Sequence, residues 1–311
     1  MIELKRVSRL YGKVIGVNDL NVKLAAGAYG LVGPNGSGKT TLINLLTGQL
    51  RPTLGSVRVF GEDPWHQRDM LRRIGLCPAS DVLYPNVSAS EWVQYQVRLH
   101  GFSLAESRER AHTALDRVDM TDRMHRPMGS YSLGMRQRTK IAQAIAHDPD
   151  LLILDEPYNG LDPVGRYQMT EMLVQYAEEG RSLLFASHVL HEIEAITSSF
   201  MLIHGGRLLA SGTAAEIDMI LADTPREVTL HGEDVTRLAS RLIGLDWVDS
   251  ISLNKQGNQL TLALLDPQEL YRQLAGWIAS DGLRIDRLQA ETGELTAVLD
   301  SLLQHHRGEA R

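Results

Sequence analysis

Apolar positions along the chain follow three rhythms, and each predicts a different element. Residues 1–24 alternate apolar and polar side chains and break at Tyr11-Gly12, which predicts an antiparallel pair of strands. Ala28–Val32, Leu151–Leu154 and Ser182–Ala186 are instead short continuous apolar runs. That is the pattern of strands buried on both faces of a parallel sheet. Further strands are expected at 57–60 and 73–78, and a helix from about Gly38 to Gly48, where glycine stops it. From Ser88 to about Asp148 the period becomes helical, with Trp92, Tyr95 and Leu99 spaced for one face. Helical stretches follow at about 163–177 and 188–197. Phe200–His204 and Arg207–Ser211 then oppose each other across Gly205-Gly206, a hairpin signal.

The texture changes after Thr224-Pro225. Residues 226–304 read strand, helix, strand, strand, helix, strand, helix, with a turn at Gln256-Gly257-Asn258. The expectation is an α/β domain over 1–224, with a helical subdomain at about 83–148, and a separate α+β accessory domain over 225–311. For that second domain a ferredoxin-like arrangement is the candidate. No catalytic constellation is visible in it.

Composition narrows the class. The 311 residues carry 32 Lys+Arg against 38 Asp+Glu, a net charge of −6, which argues against a broad basic face and a nucleic-acid partner. With 43% hydrophobic and 23% charged residues, wholesale disorder is excluded. Cys77 is the sole cysteine, so neither an intramolecular disulfide nor a zinc cluster can form, and a reducing, cytoplasmic setting is expected. No stretch approaches the ~18 apolar residues of a membrane span, and the alternating N-terminus does not read as a secretion signal.

The chemistry begins at Gly33-Pro34-Asn35-Gly36-Ser37-Gly38-Lys39-Thr40, which matches G-x-x-x-x-G-K-[ST] without a mismatch. Glycines let the backbone curl so that successive N–H groups face phosphate oxygens, and the following helix adds the positive end of its dipole. Lys39 is expected to reach the β- and γ-phosphates and Thr40 to be a magnesium ligand, with Thr41 beside it. Outside its context of strand and helix, the same stretch is a glycine-rich turn with a solvated lysine.

Such a loop needs an acidic partner at the end of a neighbouring strand. Leu151–Leu154 runs into Asp155-Glu156-Pro157. Asp155 closes an apolar run, where a charge has little reason to sit without a cation. Glu156 is the candidate general base that polarises attacking water.

Carrying these motifs, residues 1–220 resemble the ATP-binding subunits of ABC transporters. Tyr131-Ser132-Leu133-Gly134-Met135-Arg136-Gln137-Arg138 is similar to the family's signature motif in its ABC-2 exporter form. The resemblance implies that Ser132, Gly134 and Met135 meet the nucleotide held by a second subunit. Ser132 can also cap the helix that follows it, running to about His147. His188 matches the switch histidine, implying a contact to the γ-phosphate. Asn159-Gly160-Leu161-Asp162 resembles the D-loop, although an Asn-Gly turn with Asp162 capping a helix at Pro163 reads the same way. Tyr11 stands where the family stacks an aromatic ring on adenine, but a tyrosine ending a strand needs no ligand. One departure is clear: Ala79 occupies the place of a glutamine that helps coordinate magnesium, and alanine has no donor or acceptor to do so. Ser80 and Asp81 are the substitutes on offer.

The resemblance therefore implies ATP and Mg²⁺ as ligands, a head-to-tail dimer and separate transmembrane permease subunits. These would dock on the segment from Leu83 to Tyr95 and hold the chain at the cytoplasmic face of the membrane. Trp92 and Tyr95 are equally readable as core residues. A competing class is an ATP-gated assembly or regulatory module that acts on a soluble partner.

Overall fold

A computed structural model of the chain describes residues 1–80, 84–213, 216 and 225–290. The expectations for Asp81 and Leu83, and for the helix at the end of the 226–304 pattern, lie outside the described residues. The chain divides into two compact units, Met1–Ala214 and Ala215–Arg311. That division falls ten residues before the sequence boundary, just past the last strand of the first unit.

The first unit runs β1 (Ile2–Tyr11), β2 (Val14–Leu24), β3 (Ala28–Val32), α1 (Lys39–Leu46), β4 (Leu54–Val59) and β5 (Ile74–Cys77). Three helices follow, α2 (Ala89–Leu99), α3 (Leu104–Arg117) and α4 (Leu133–Ile145). The chain then returns through β6 (Leu151–Asp155), α5 (Pro163–Glu178), β7 (Ser182–Ser187), α6 (Leu190–Glu194), β8 (Ser199–His204) and β9 (Arg207–Thr213). β1, β2 and β4 form an antiparallel sheet in the order β2-β1-β4. The central sheet has the order β5-β6-β7-β3-β8-β9, parallel except for the β8–β9 hairpin.

Local sequence accounts for these elements. Every residue of β6 and β7 is buried, as continuous apolar runs require between two covered faces. Alternate residues Leu151 and Ile153, Leu184 and Ala186, Met201 and Ile203 join α1 and the antiparallel sheet in one core. Ser88 with Glu91 and Ser103 with Glu106 close capping boxes on α2 and α3. Gly48, at φ +66°, ends the first helix. α2 buries Ala89, Val93 and Val97, so the Trp92–Tyr95–Leu99 stripe is the outward face. Tyr95 and Leu99 are exposed, which rules out the core reading of Tyr95.

The second unit runs β10 (Arg226–His231), α7 (Val235–Leu242), β11 (Val248–Leu253), β12 (Gln259–Leu264), α8 (Pro267–Asp281) and β13 (Arg287–Ala290). Its sheet is antiparallel in the order β11-β12-β10-β13. This βαββαβ order is the ferredoxin-like arrangement. Leucines of β12, α7 and α8 give the unit its own core.

Candidate functional site

The phosphate-binding loop leaves the end of β3 and enters α1, and its curl is set by glycine. Gly38 has φ +110° and caps α1, and Gly36 has φ +78°. Backbone from both sheets props the loop: Gly206 N–H donates to the Ser37 carbonyl (2.8 Å), and Asn18 N–H donates to the Gly206 carbonyl (2.7 Å). The buried Lys39 ammonium donates to the carbonyls of Gly33 (2.6 Å) and Pro34 (3.3 Å), and lies 3.4 Å from Glu156 Oε1. The lysine thus stands between the loop and the acidic pair.

Sequence reasoning put the acidic partner on a neighbouring strand; the sheet order inserts β7 between β3 and β6. The side chains still meet, because Thr40 is the second residue of α1 and its hydroxyl donates to Asp155 Oδ2 at 2.8 Å. Burial pushes the Asp155 carboxyl above the usual range, with the Glu156 charge adding to it. The Thr40 hydrogen bond and the charges of Lys39 and Lys140 oppose that rise.

Glu156 is held in a backbone conformation at φ +53°, uncommon for a non-glycine residue and costing on the order of 1–3 kcal/mol. Its N–H donates to the Ala186 carbonyl (2.9 Å), fixing it to β7. His188, just past β7, donates from Nδ1 to Glu156 Oε2 at 2.9 Å and is half-exposed.

Ser37 Oγ, Asp155 Oδ1 and Glu156 Oε1 are buried and take part in no hydrogen bond. Three such atoms around one loop are what a site for an anion and a hard cation leaves behind. Among the described residues no group of three or more His, Cys, Asp or Glu side chains is arranged to hold a metal ion by itself. A magnesium ion here would be held by Thr40, Asp155 and the oxygens of its ligand, a donor set that fits Mg²⁺.

These groups line an open cleft of about 430 Å³. Tyr11, Asn35–Thr41, Asp155 and Glu156 are on its walls, and so are Ala79 and Asn159. Gly33 lies behind, bonded to Lys39 through its carbonyl. The Tyr11 ring rests against Gly16, with the Arg9 guanidinium 4.9 Å from its centroid. Val14, Ile15 and Gly16 also line the cleft and were missed from sequence. The register Tyr11↔Val14 and Leu10↔Ile15 across the first hairpin carries the signal that would have found them.

The remaining candidates stand elsewhere. Ser132 caps α4, its hydroxyl accepting from Met135 N–H (3.2 Å), and Asp162 caps α5, accepting from Gly165 N–H (2.7 Å). Gly134 and Gly160 meet backbone to backbone: a Cβ on Gly134 would lie 3.0 Å from the Gly160 carbonyl. None of Ser132, Gly134, Met135 and Asp162 lines the cleft that contains Lys39. A further network had no sequence signal. Ser187 Oγ donates to Glu192 (2.7 Å), and Arg166 bonds both Glu192 (2.8 Å) and the Leu161 carbonyl (3.4 Å). It ties the strand end before His188 to the Asn159–Asp162 turn.

A glycine-rich loop at a strand-to-helix junction, a lysine within it and a strand-end carboxylate bonded to its threonine define a P-loop nucleoside triphosphatase. The family described as ABC transporter matches residues 17–159. The daunorubicin/doxorubicin resistance ATP-binding protein DrrA of Streptomyces peucetius is 33% identical, over 88% of this chain and 84% of its own length. The bacitracin transport ATP-binding protein BcrA of Bacillus licheniformis is 36% identical over 67% of this chain and 68% of its own. A solved ATP-binding subunit of an ABC transporter superposes with a TM-score of 0.65 at 27% identity, covering 71% of this chain and 92% of that one. The chain belongs to the ABC transporter family, as one of its ATP-binding ATPases.

Proposed function

We propose that this chain is the ATP-hydrolysing motor of an ABC-2-type exporter, pairing head to tail with a second copy and docking on separate membrane subunits at the cytoplasmic face. The observation that carries this reading is a separation. The phosphate cradle and Glu156 share one cleft, with His188 bonded to Glu156 but not on the cleft wall, while the Ser132–Met135 helix end stands outside it with Leu133 62% exposed. Helix N-termini are anion sites, and among the described residues this one shares no cleft with the phosphate cradle of its own chain. It is completed by the cradle of a second copy. Val164 and Tyr167 are likewise exposed apolar side chains, on α5.

Within the cleft, the amides of residues 36–41 receive the phosphates and Lys39 shifts from the loop carbonyls toward them. Tyr11 supplies the ring for adenine. Bound magnesium supplies charge neutralisation at the phosphate oxygens, held by Thr40 and Asp155. Glu156 takes the proton of the attacking water, and His188 orients the carboxylate through Oε2. Two relatives, DrrA and BcrA, are named for daunorubicin/doxorubicin resistance and bacitracin transport, which supports the exporter branch.

Among the described residues no helix is long and apolar enough to cross a membrane. The proposed dock is the aromatic ladder Tyr84, Trp92 and Tyr95, with ring centroids 5.1 and 6.3 Å apart. Trp92 is fixed by a 2.7 Å bond to Gln143.

Glu156→Gln should retain ATP binding and lower turnover by roughly 10²- to 10⁴-fold. Light scattering should then show an ATP-dependent dimer. Turnover at the wild-type rate would remove Glu156 as the base. Purification of the tagged chain from detergent-solubilised membranes should bring an integral membrane protein with it. Recovery of soluble proteins alone would favour the assembly-module reading.

A further inference from the structure

Lys140 lies in the middle of α4, two turns beyond the Ser132–Met135 helix end, and is 5% exposed. Lysine is almost never buried without a partner. Here the ammonium donates to three consecutive carbonyls, Pro78 at 3.0 Å, Ala79 at 3.4 Å and Ser80 at 3.2 Å. An ammonium has three N–H donors, so its hydrogen bonding is filled by one turn of backbone. No carboxylate pairs with it among the described residues, and its positive charge acts on Asp155. The neighbouring Cys77 gives no counter-charge, since burial pushes its thiol up to about 12.

The three carbonyls belong to the segment that carries Ala79 to the cleft wall. Ala79 brings no polar side chain to that wall, and its carbonyl is committed to Lys140. A second contact joins the same two elements: Gly75 of β5 lies so close to α4 that a Cβ would stand 2.1 Å from the Ala144 carbonyl. β5, the turn after it and α4 are therefore clamped at two points.

We propose that Lys140 is a positioning residue of the hydrolytic site. It locks the Pro78–Ser80 wall of one copy's cleft to the helix whose N-terminus serves the other copy's nucleotide. A cleft wall without a polar side chain is thereby controlled from behind, by a cation on the signature helix. The inference rests on the ATPase site described above.

The test uses the full chain with Lys140→Met, which keeps length but loses charge and donors. It is paired with Lys140→Arg, which keeps both, and Lys140→Gln, which keeps donors only. ATP turnover, equilibrium nucleotide binding, thermal unfolding and amide exchange in peptides covering 74–80 are measured on each. Lys140→Met should lower kcat by roughly 10- to 100-fold, the scale of a misplaced site wall. KM should change by less than about threefold, and exchange in 74–80 should quicken. Lys140→Arg should recover most of the loss. If Lys140→Met does not fold, Lys140→Gln against Lys140→Arg makes the same comparison.

Turnover within about twofold of wild type in every folded variant overturns the proposal. So does a fall in kcat that tracks thermal stability without rescue by arginine, or failure of all three variants to fold. Either result marks a purely structural lysine. A wild-type chain that hydrolyses no ATP overturns the site reading itself, whereas hydrolysis indifferent to Lys140 overturns the inference alone.

Discussion

Gly33 has no room for a side chain: a Cβ would stand 2.2 Å from the Ile203 carbonyl oxygen and 2.5 Å from Ser37 Oγ. The carbonyl belongs to β8 and cannot give way, so Gly33→Ala must push the loop toward the ligand. Nucleotide affinity should fall by roughly tenfold or more, about 1.4 kcal/mol, read by equilibrium titration with a fluorescent ATP analogue. Unchanged affinity would mean that the loop yields without cost. This glycine was legible as a motif position, and Thr40 and Asp155 as its partners. The reason for its being glycine was not, because Ile203 is 170 residues away. Glu156 shows the same divide. Its place after an apolar strand marks it as functional, but its left-handed backbone and its bond to His188 exist only once β6 and β7 are paired. Lys140 was invisible for a stronger reason. A lysine in a helix reads as a solvated charge, and only tertiary packing turns it inward.

At the scale of elements, hydrophobic rhythm carried most of the outline. The hairpins, the buried strands, the caps at Ser132 and Asp162 and the glycine stop after α1 all follow from local patterns. Faces were harder to assign. On α2, small residues at 89, 93 and 97 let α3 and α4 approach, and the larger aromatic residues were left outside, which spacing alone could not decide. The caps are testable. Ser103→Ala removes one capping box of α3 and should cost about 1 kcal/mol in denaturant unfolding.

The same helical region also carries a pH dependence. His100 and His147 are stacked at 3.8 Å, and His147 is buried with its Nε2 3.1 Å from the Ile74 carbonyl. Burial first, then the positive neighbours His100 and Arg110, push the His147 imidazole down to about 4. An unfolded histidine titrates near 6.5, so between these values the unfolded chain binds a proton that the folded chain refuses. Stability from the neutral ring is full above pH 6.5 and is lost as pH falls toward 4. At pH 5 the loss should be about 2 kcal/mol, and His147→Gln should flatten the curve measured by urea unfolding. A wild-type curve already flat between pH 7 and 5 would contradict the assignment.

At the scale of the whole molecule, every residue of the cleft lies in the first unit, and the second has its own leucine core. Calorimetry should therefore resolve two transitions, and only the one belonging to residues 1–214 should rise with added ATP. A single transition that shifts as one would show that the units unfold together. The first unit carries one more consequence, for engineering. The Gly205-Gly206 turn offers no side chain to any ligand, yet its backbone braces Ser37 on one side and Asn18 on the other. Its length is thus fixed as strictly as the P-loop's own. A reporter peptide spliced into the open turn at Gly180 should leave nucleotide binding intact, whereas the same insert between these two glycines should abolish it from outside the cleft.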